Sequence, residues 1–433
     1  MYDRKILSEI LNGLNSREIL FLLGTRQVGK TTLTKLIAKN SGFKNIFFFD
    51  LEDKEYRELF DDISVKRLEN IFLLEGIDTK EKNLIIFDEI QLLKDPSNML
   101  KLLHDYFENI KAIATGSSSL QIKSKFSDSL AGRKRVYIVN PLDFDEFLLF
   151  KGEDQLLRLR DLFFKEDDKL SLKSLINAKS KRFLEAFNEY LIFGGYPEVV
   201  LLSSKRDKIK KIDSIASSYI QKDIRDLINI ENIEGYNNLI KYLSINIGSL
   251  INISNISNSI SLSMPTVKRY INILKETFII DELKPFFKNK NKEISKNGKI
   301  YFKDLGVRNL QIKNFNDLSI RTDSGELYEN YVFNRLNDNS DLLSSLFLYR
   351  TQSKTEIDFI KVKESFATLY EVKSATYKKI PKALVEFEKR YKEDFSGIKK
   401  IVVNRDFFDI RGDILYIPIF LLWIAAQKSA AKD

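Results

Sequence analysis

Short apolar runs alternate with amphipathic stretches over residues 1 to 140, a pattern that predicts buried parallel strands with helices between them. Residues 1 to 18 read as an amphipathic helix with Ile6, Ile10, Leu11 and Leu14 on one face. Ile19 to Leu23 is the first strand, and Leu33, Leu36 and Ile37 then recur at helical spacing. Asn45 to Asp50 is a second strand, ending in an acidic cluster of Asp50, Glu52 and Asp53. A charged helical stretch from Glu55 to Leu74 precedes a third run, Asn83 to Gln91, in which apolar residues lead to Asp88 and Glu89. Leu100 to Tyr106 continues a helix, and Ala112 to Ser119 is a strand ending in small hydroxyl residues.

Residues 141 to about 205 read as helical, with a Phe193-Gly-Gly-Tyr-Pro-Glu198 turn near their end. Gly194 and Gly195 permit unusual backbone angles there, and Pro197 stops the preceding helix. Short helices follow over Tyr219 to Asp226, Tyr236 to Ile247 and Ile253 to Ile260. Ser263 to Leu274 is a further helix, with a serine cap and a proline in its first turn. It carries Lys268 and Arg269 opposite Val267, Ile271 and Leu274. From about residue 311 the pattern changes to a helix (Gly325 to Phe333) and short strands over Phe347 to Arg350, Glu356 to Val362 and Ala367 to Lys373.

The chemistry begins where the first strand meets its helix. Gly24, Thr25, Arg26, Gln27, Val28, Gly29, Lys30, Thr31 and Thr32 have the spacing G-x-x-x-x-G-K-T, a phosphate-binding loop opening on a helix N-terminus. Gly24 and Gly29 allow close backbone approach, Lys30 reaches β- and γ-phosphates, and the Thr31 hydroxyl can ligate Mg²⁺. Asp88 and Glu89 arrive at the same sheet edge as a Walker B pair. Asp88 would hold the magnesium, and Glu89 would orient the attacking water. Ser117 is placed to sense the γ-phosphate, while Ser118 or Ser119 would serve as an ordinary helix cap.

Composition narrows the remaining classes. With 433 residues, 43% hydrophobic and 30% charged, the chain is expected to be globular and multidomain. Absence of cysteine excludes disulfides and thiolate metal sites. A single histidine, His104, excludes histidine-cluster metal chemistry, so any metal must sit on oxygen ligands. His104 itself reads as a surface or half-buried residue. The opening residues lack a signal-peptide core and no apolar run is long enough to span a bilayer, which leads us to expect a cytoplasmic protein with no membrane partner. The net charge of +9 mildly favours an anionic partner.

The loop GTRQVGKTT, the strand LIIFDEIQ, the strand end ATGSSS, Leu130-Ala-Gly-Arg-Lys-Arg135 and Pro141-Leu-Asp-Phe-Asp-Glu-Phe147 together resemble the AAA-type ATPases of bacteria and archaea that end in a restriction-endonuclease-like domain. The resemblance implies ATP and Mg²⁺ as cofactors, and a phosphate-sensing or neighbour-contacting role for Arg133, the latter within a homo-oligomer. A structural ion pair is the alternative for Arg133. Ser263 to Leu274 resembles the recognition helix of a winged helix-turn-helix, with Lys288, Lys290, Lys292, Lys296, Lys299 and Lys303 where a wing would contact DNA phosphates; the alternative is a winged-helix fold used only for protein packing, its lysines solvated. The C-terminal stretch resembles a PD-(D/E)xK core. Asp358 ends one strand, and Glu371 and Lys373 share a face of the next because alternate strand residues point the same way. Glu329 from the helix joins them. The three carboxylates would ligate a metal, and Lys373 would act on the attacking water as a catalytic residue.

The expected fold class is therefore α/β: an ATPase core over 1–140, a helical lid over 141–205, a winged-helix segment over 206–310 and a nuclease-like domain over 311–433. The expected function is ATP hydrolysis coupled to work on DNA. The alternative is a nucleotide switch for signalling or defence whose terminal domain is an inactive recognition platform.

Overall fold

The computed structural model describes residues 2–117, 130–165, 171–218, 232–287, 297–338, 343–353 and 355–422. Ser118, Ser119, the expected helix at 219–226 and the lysines 288, 290, 292 and 296 lie outside these residues.

The N-terminal sheet contains β1 (Ile19–Leu23), β2 (Asn45–Asp50), β3 (Asn83–Asp88), β4 (Ile110–Gly116) and β5 (Lys134–Ile138), in the order β2-β3-β4-β1-β5. All its pairings are parallel. The central strands are buried on both faces, as a parallel sheet covered by helices requires. Its helices are α1 (Ile6–Gly13), α2 (Lys30–Asn40), α3 (Lys54–Phe60), α4 (Val65–Leu74) and α5 (Pro96–Tyr106). Two sequence expectations shift. The first helix is shorter than 1–18 and buries Leu7 and Ile10. The charged stretch from Glu55 splits into α3 and α4, because Asp62 takes a left-handed φ of 55° and Ser64 caps a new helix.

The next helices are α6 (Phe144–Phe150), α7 (Asp154–Lys165), α8 (Lys173–Phe193), α9 (Pro197–Leu201) and α10 (Lys205–Ser218). Then come α11 (Ile233–Ile245), α12 (Ile253–Ile260) and α13 (Met264–Glu276), followed by an antiparallel pair, β6 (Ile280–Leu283) and β7 (Lys299–Phe302). Ser263 caps α13 through the Thr266 N–H. Lys268 and Arg269 are exposed, while Val267, Ile271 and Leu274 are buried.

After α14 (Leu305–Gln311) and α15 (Ser324–Asp338), a mixed sheet forms from β8 (Ser344–Arg350), β9 (Glu356–Lys363), β10 (Phe366–Val372), β11 (Gly397–Asn404), β12 (Asp409–Arg411) and β13 (Ile414–Pro418). Its order is β12-β13-β11-β10-β9-β8. β8, β9 and β10 are an antiparallel meander, and β11 joins β10 in parallel after α16 (Lys382–Tyr391).

The parts share one core. A continuous apolar cluster runs from α1 and the lower face of the first sheet through α8 to α15 and the C-terminal sheet. Its middle is aromatic: Phe187 lies 5.3 Å from Phe144 and 4.7 Å from Tyr331 between ring centroids, and Phe183 stacks on Phe420 at 4.6 Å. Beside it, buried Arg335 of α15 pairs with Asp143 (2.8 Å) and Asp145 (3.1 Å) at the start of α6. Breaking such a buried pair leaves an uncompensated charge, at a cost of about 3–5 kcal/mol. The C-terminal sheet is thus keyed to the N-terminal half by packing and charge together. Among the described residues, no helix is long and apolar enough to cross a membrane.

Candidate functional site

Because its strands are parallel, the C-terminal ends of β1, β3 and β4 lie at one edge, with β4 between the other two. Gly24 passes so close to Val139 that a Cβ would sit 2.2 Å from that carbonyl oxygen. Gly29 is left-handed (φ 94°), as is Gln27 (φ 61°), and these residues curl the loop around the start of α2. Thr32 lies in the first turn of α2, exposed at the loop mouth. Lys30 is buried, with its ammonium donating to the carbonyls of Gly24 (3.0 Å) and Thr25 (3.1 Å). The Thr31 hydroxyl donates to Asp88 Oδ2 at 2.7 Å.

Thr115, on β4, donates to the other Asp88 oxygen and accepts the Glu89 N–H at 3.0 Å. Glu89 is left-handed (φ 56°), turning the chain sharply after the strand. Its carboxylate accepts from Gln91 Nε2 (2.5 Å), which also donates to Ser117 Oγ (3.2 Å), and lies 4.0 Å from the Arg26 guanidinium. Arg26 reaches Glu52 as well, at 3.7 Å. The structure therefore brings Lys30, Thr31, Asp88, Glu89 and Ser117 to one edge as expected. It adds Thr115, Gln91 and the Arg26 contact with Glu89, none of which spacing alone revealed.

The loop is also held from behind. Buried Arg4 donates to the Val28 carbonyl (3.0 Å) and to Glu146 (2.9 Å). Tyr196 shares a 3.0 Å hydrogen bond with Thr25, and Pro197 packs near Gly29. The turn that carries Tyr196 is tied in turn to Asp304, which accepts the Gly195 N–H at 2.7 Å. A small, nearly apolar cleft of about 20 Å³ lies beside Thr25, Arg26 and Tyr196, lined further by Ile215, Ile240 and Val307.

Arg133 is placed elsewhere. It immediately precedes β5, and Lys134 pairs with Ile19, so it lies at the sheet edge opposite the loop. Five strand residues at ~3.3 Å put it roughly 16 Å away, beyond the reach of one side chain. Its guanidinium is bidentate on Asp105 (2.8 and 3.2 Å), which His104 also contacts at 2.9 Å. These hydrogen bonds from Arg133 and His104 draw the Asp105 carboxyl down to about 2. A phosphate contact by Arg133 within its own subunit is corrected on this geometry; the pair with Asp105 is the structural ion pair expected as the alternative, and a contact with a neighbouring subunit stays a proposal. His104 is half-buried, as expected.

The second cluster gathers at the C-terminal sheet. Asp358 and Glu371 face each other across β9 and β10, one step beyond the Phe359–Tyr370 pair. Asp358 accepts the Val372 N–H at 2.7 Å. Glu371 Oε1 accepts from Lys373 at 2.6 Å, and its Oε2 is buried without a hydrogen-bond partner. Burial, with the charges of Glu329 and Glu371 nearby, raises the Asp358 carboxyl well above the usual range. Burial likewise raises Glu371 against the pull of Lys373. That orphaned oxygen beside a second carboxylate fits an oxygen-ligated cation on Asp358 and Glu371.

Glu329 departs from expectation. Its Oε1 accepts from Lys299 (2.8 Å) and Tyr301 (2.5 Å), and among the described residues no group of three carboxylates is arranged to hold a metal. Two of the expected wing lysines are accordingly corrected. Lys299 is buried on Glu329 and Glu356, and Lys303 pairs with Asp281 (3.2 Å) and Asp338 (3.8 Å), because Glu329 and Asp338 of α15 draw in both ammonium groups. Neither is free to touch DNA.

Residues 16–148 match the model of an AAA domain. The chain carries a domain of the AAA type. Residues 184–318 and 324–422 match two domains of unknown function, DUF8612 and DUF4143. An uncharacterized protein of Methanocaldococcus jannaschii is 26% identical over 385 residues, covering 85% of this chain and 81% of its own length. One from Haemophilus influenzae is 23% identical over 70% of this chain and 71% of its own, and one from Mycobacterium tuberculosis 24% identical over 82% and 70%. A Thermotoga maritima RuvB point mutant is 14% identical, with a TM-score of 0.30 over 67% of this chain and 94% of that one, too slight a likeness to carry an argument.

Proposed function

We propose that the protein binds and hydrolyses ATP and couples this to work on DNA. The observation that supports it most is the Thr31–Asp88 contact, which joins the phosphate loop to the end of β3 with Glu89 next in line. The loop N–H groups and the N-terminus of α2 would receive the phosphates. Lys30, resting on loop carbonyls, would exchange them for the stronger charge of the β- and γ-phosphates. Thr31 and Asp88 would hold Mg²⁺, which offsets negative charge on the transferring phosphoryl group. Glu89, steadied by Gln91 and Arg26, accepts a hydrogen bond from water and aims it at the γ-phosphorus. As the water oxygen bonds to that phosphorus, the phosphorus–oxygen bond to the β-phosphate breaks, and the water proton leaves with the products, ADP and phosphate.

DNA as partner is supported by the exposed pair Lys268 and Arg269 on α13, the second helix of a helix-turn-helix followed by a hairpin. For the C-terminal domain, the helix, antiparallel meander and parallel return strand, with Asp358 opposite Glu371, support a restriction-endonuclease-like fold. There Asp358 and Glu371 would hold a divalent cation that offsets charge on a phosphodiester, and Lys373 would act on the attacking water. The second reading, a nucleotide switch with an inactive terminal platform, is favoured by one observation: Glu329 is already engaged with Lys299.

Phosphate release and strand cleavage, measured together on the full chain with ATP, Mg²⁺ or Mn²⁺ and varied DNA, separate the two. DNA-stimulated phosphate release supports the first reading, and hydrolysis indifferent to every DNA supports the switch. Cleavage should require a divalent cation and vanish in Asp358→Ala and in Lys373→Ala.

A further inference from the structure

The carboxylates around Asp358 fall into two halves. In one half, the Lys299 ammonium bridges Glu329 (2.8 Å) and Glu356 (2.7 Å), and Tyr301 adds a hydrogen bond to the same Glu329 oxygen. Arg350 lies 3.7 Å from the other Glu356 oxygen. In the other half, Glu371 Oε2 is buried with no partner, and Asp358 accepts one backbone N–H. The first pair of carboxylates meets two cationic side chains, Lys299 and Arg350, whereas Asp358 and Glu371 meet only Lys373, which sits on Glu371 Oε1 at 2.6 Å, so the second side is one positive charge short.

Lys299 is not a chance visitor. It opens β7, whose remaining residues are buried, and Asn330 of α15 fixes the strand by accepting the Phe302 N–H (2.7 Å) and donating to its carbonyl (2.8 Å). Tyr301 stacks on Phe333 at 4.4 Å. The ammonium is thus delivered by an element outside the C-terminal sheet and locked in place. A lysine with 5% of its surface exposed is stable there only because carboxylates meet it.

We infer that Lys299 is a built-in cation for the Glu329 and Glu356 half of the cluster, so that a divalent ion is held by Asp358 and Glu371 alone and Glu329 is not a metal ligand. This rests on the reading of Asp358 and Glu371 as a metal site, and it deepens that reading from a three-carboxylate set to a pair. The lysine supplies the positive charge that Glu329 and Glu356 would otherwise need from a second divalent ion.

The test is calorimetric titration of Mn²⁺ into the nucleotide-free full chain, comparing the parent with Lys299→Met. The variant should bind one more Mn²⁺ per chain than the parent, and adding Glu329→Gln to it should remove that extra ion. If Lys299→Met is unfolded in metal-free buffer, millimolar Mn²⁺ should restore its circular dichroism. Equal counts in parent and variant, or a variant that stays unfolded with Mn²⁺, overturns the inference. The underlying reading fails separately. If Asp358→Asn binds as many ions as the parent, the Asp358 and Glu371 site is not a metal site, whatever the Lys299→Met difference shows.

Discussion

Two aspartates organise this molecule, Asp88 at the end of β3 and Asp358 near the start of β9, and their surroundings differ in kind. Asp88 is met by hydroxyls, Thr31 and Thr115, and stands at the open edge of the first sheet. Asp358 sits among Glu329, Glu371 and the ammonium groups of Lys299 and Lys373, with its carboxyl raised by burial and by like charge. Each hydroxyl bond to the Asp88 carboxylate is worth about 1.5–3 kcal/mol net, and an arriving cation or water can take its place, so the first site can admit a charged ligand with little rearrangement. Ion pairs in a half-buried cluster are expensive to disturb. One end is therefore ready for a ligand, while the other carries much of its own counter-charge. β7 and the residues after it physically join them: Lys299 enters the cluster, and Asp304, a few residues on, holds the Gly195 turn that bears Tyr196 against Thr25.

The difference between the two ends would be sharpened most by asking whether the open edge is completed by a second subunit. If Arg133 acts across an interface, Arg133→Ala should lower ATP hydrolysis about a thousandfold with nucleotide affinity nearly intact. Mixing it with Glu89→Gln should recover activity in shared assemblies. No recovery from normally sized oligomers would leave Arg133 as the partner of Asp105 only.

Asp304 tests the connection between the ends. Burial lifts its carboxyl to about 6, against an ordinary 3.8. A raised acid stabilises the fold fully below its unfolded pKa, and that contribution is lost as pH rises through the folded value. Stability should therefore fall by about 3 kcal/mol between pH ~4 and ~6, at about 1.4 kcal/mol per unit. Denaturant unfolding across that range should show the slope in the parent and not in Asp304→Asn. An identical slope in both would detach Asp304 from it.

A smaller effect belongs to α13. If Lys268 and Arg269 each bind a DNA phosphate, replacing either with alanine should flatten the slope of log affinity against log salt by about 0.9 for duplex DNA. Salt titrations unchanged in the double variant would return this helix to a packing role.

What the sequence disclosed followed the range of its signals. Lys30, Thr31, Asp88 and Glu89 were legible because loop spacing and an apolar run ending in Asp-Glu are local patterns. That Glu371 and Lys373 share a face was legible from strand alternation, whereas the facing of Asp358 and Glu371 is set by the β9–β10 register. Arg4, Thr115 and Tyr196 were not, since each meets its partner only through packing of distant segments. Lys299 was misread for an instructive reason: within a lysine-rich stretch its charge implied solvent, whereas its neighbours Ile300, Tyr301 and Phe302 mark a strand buried on both faces. The carboxylates that admit it lie on α15 and β9, out of reach of any local pattern.

The central claim is that the open edge binds and hydrolyses ATP, and nucleotide binding and phosphate release measured side by side test it directly. The parent should do both, and Lys30→Ala should bind no ATP. Glu89→Gln should bind like the parent and hydrolyse about a hundredfold more slowly or worse. Hydrolysis by Glu89→Gln at the parental rate would contradict the account.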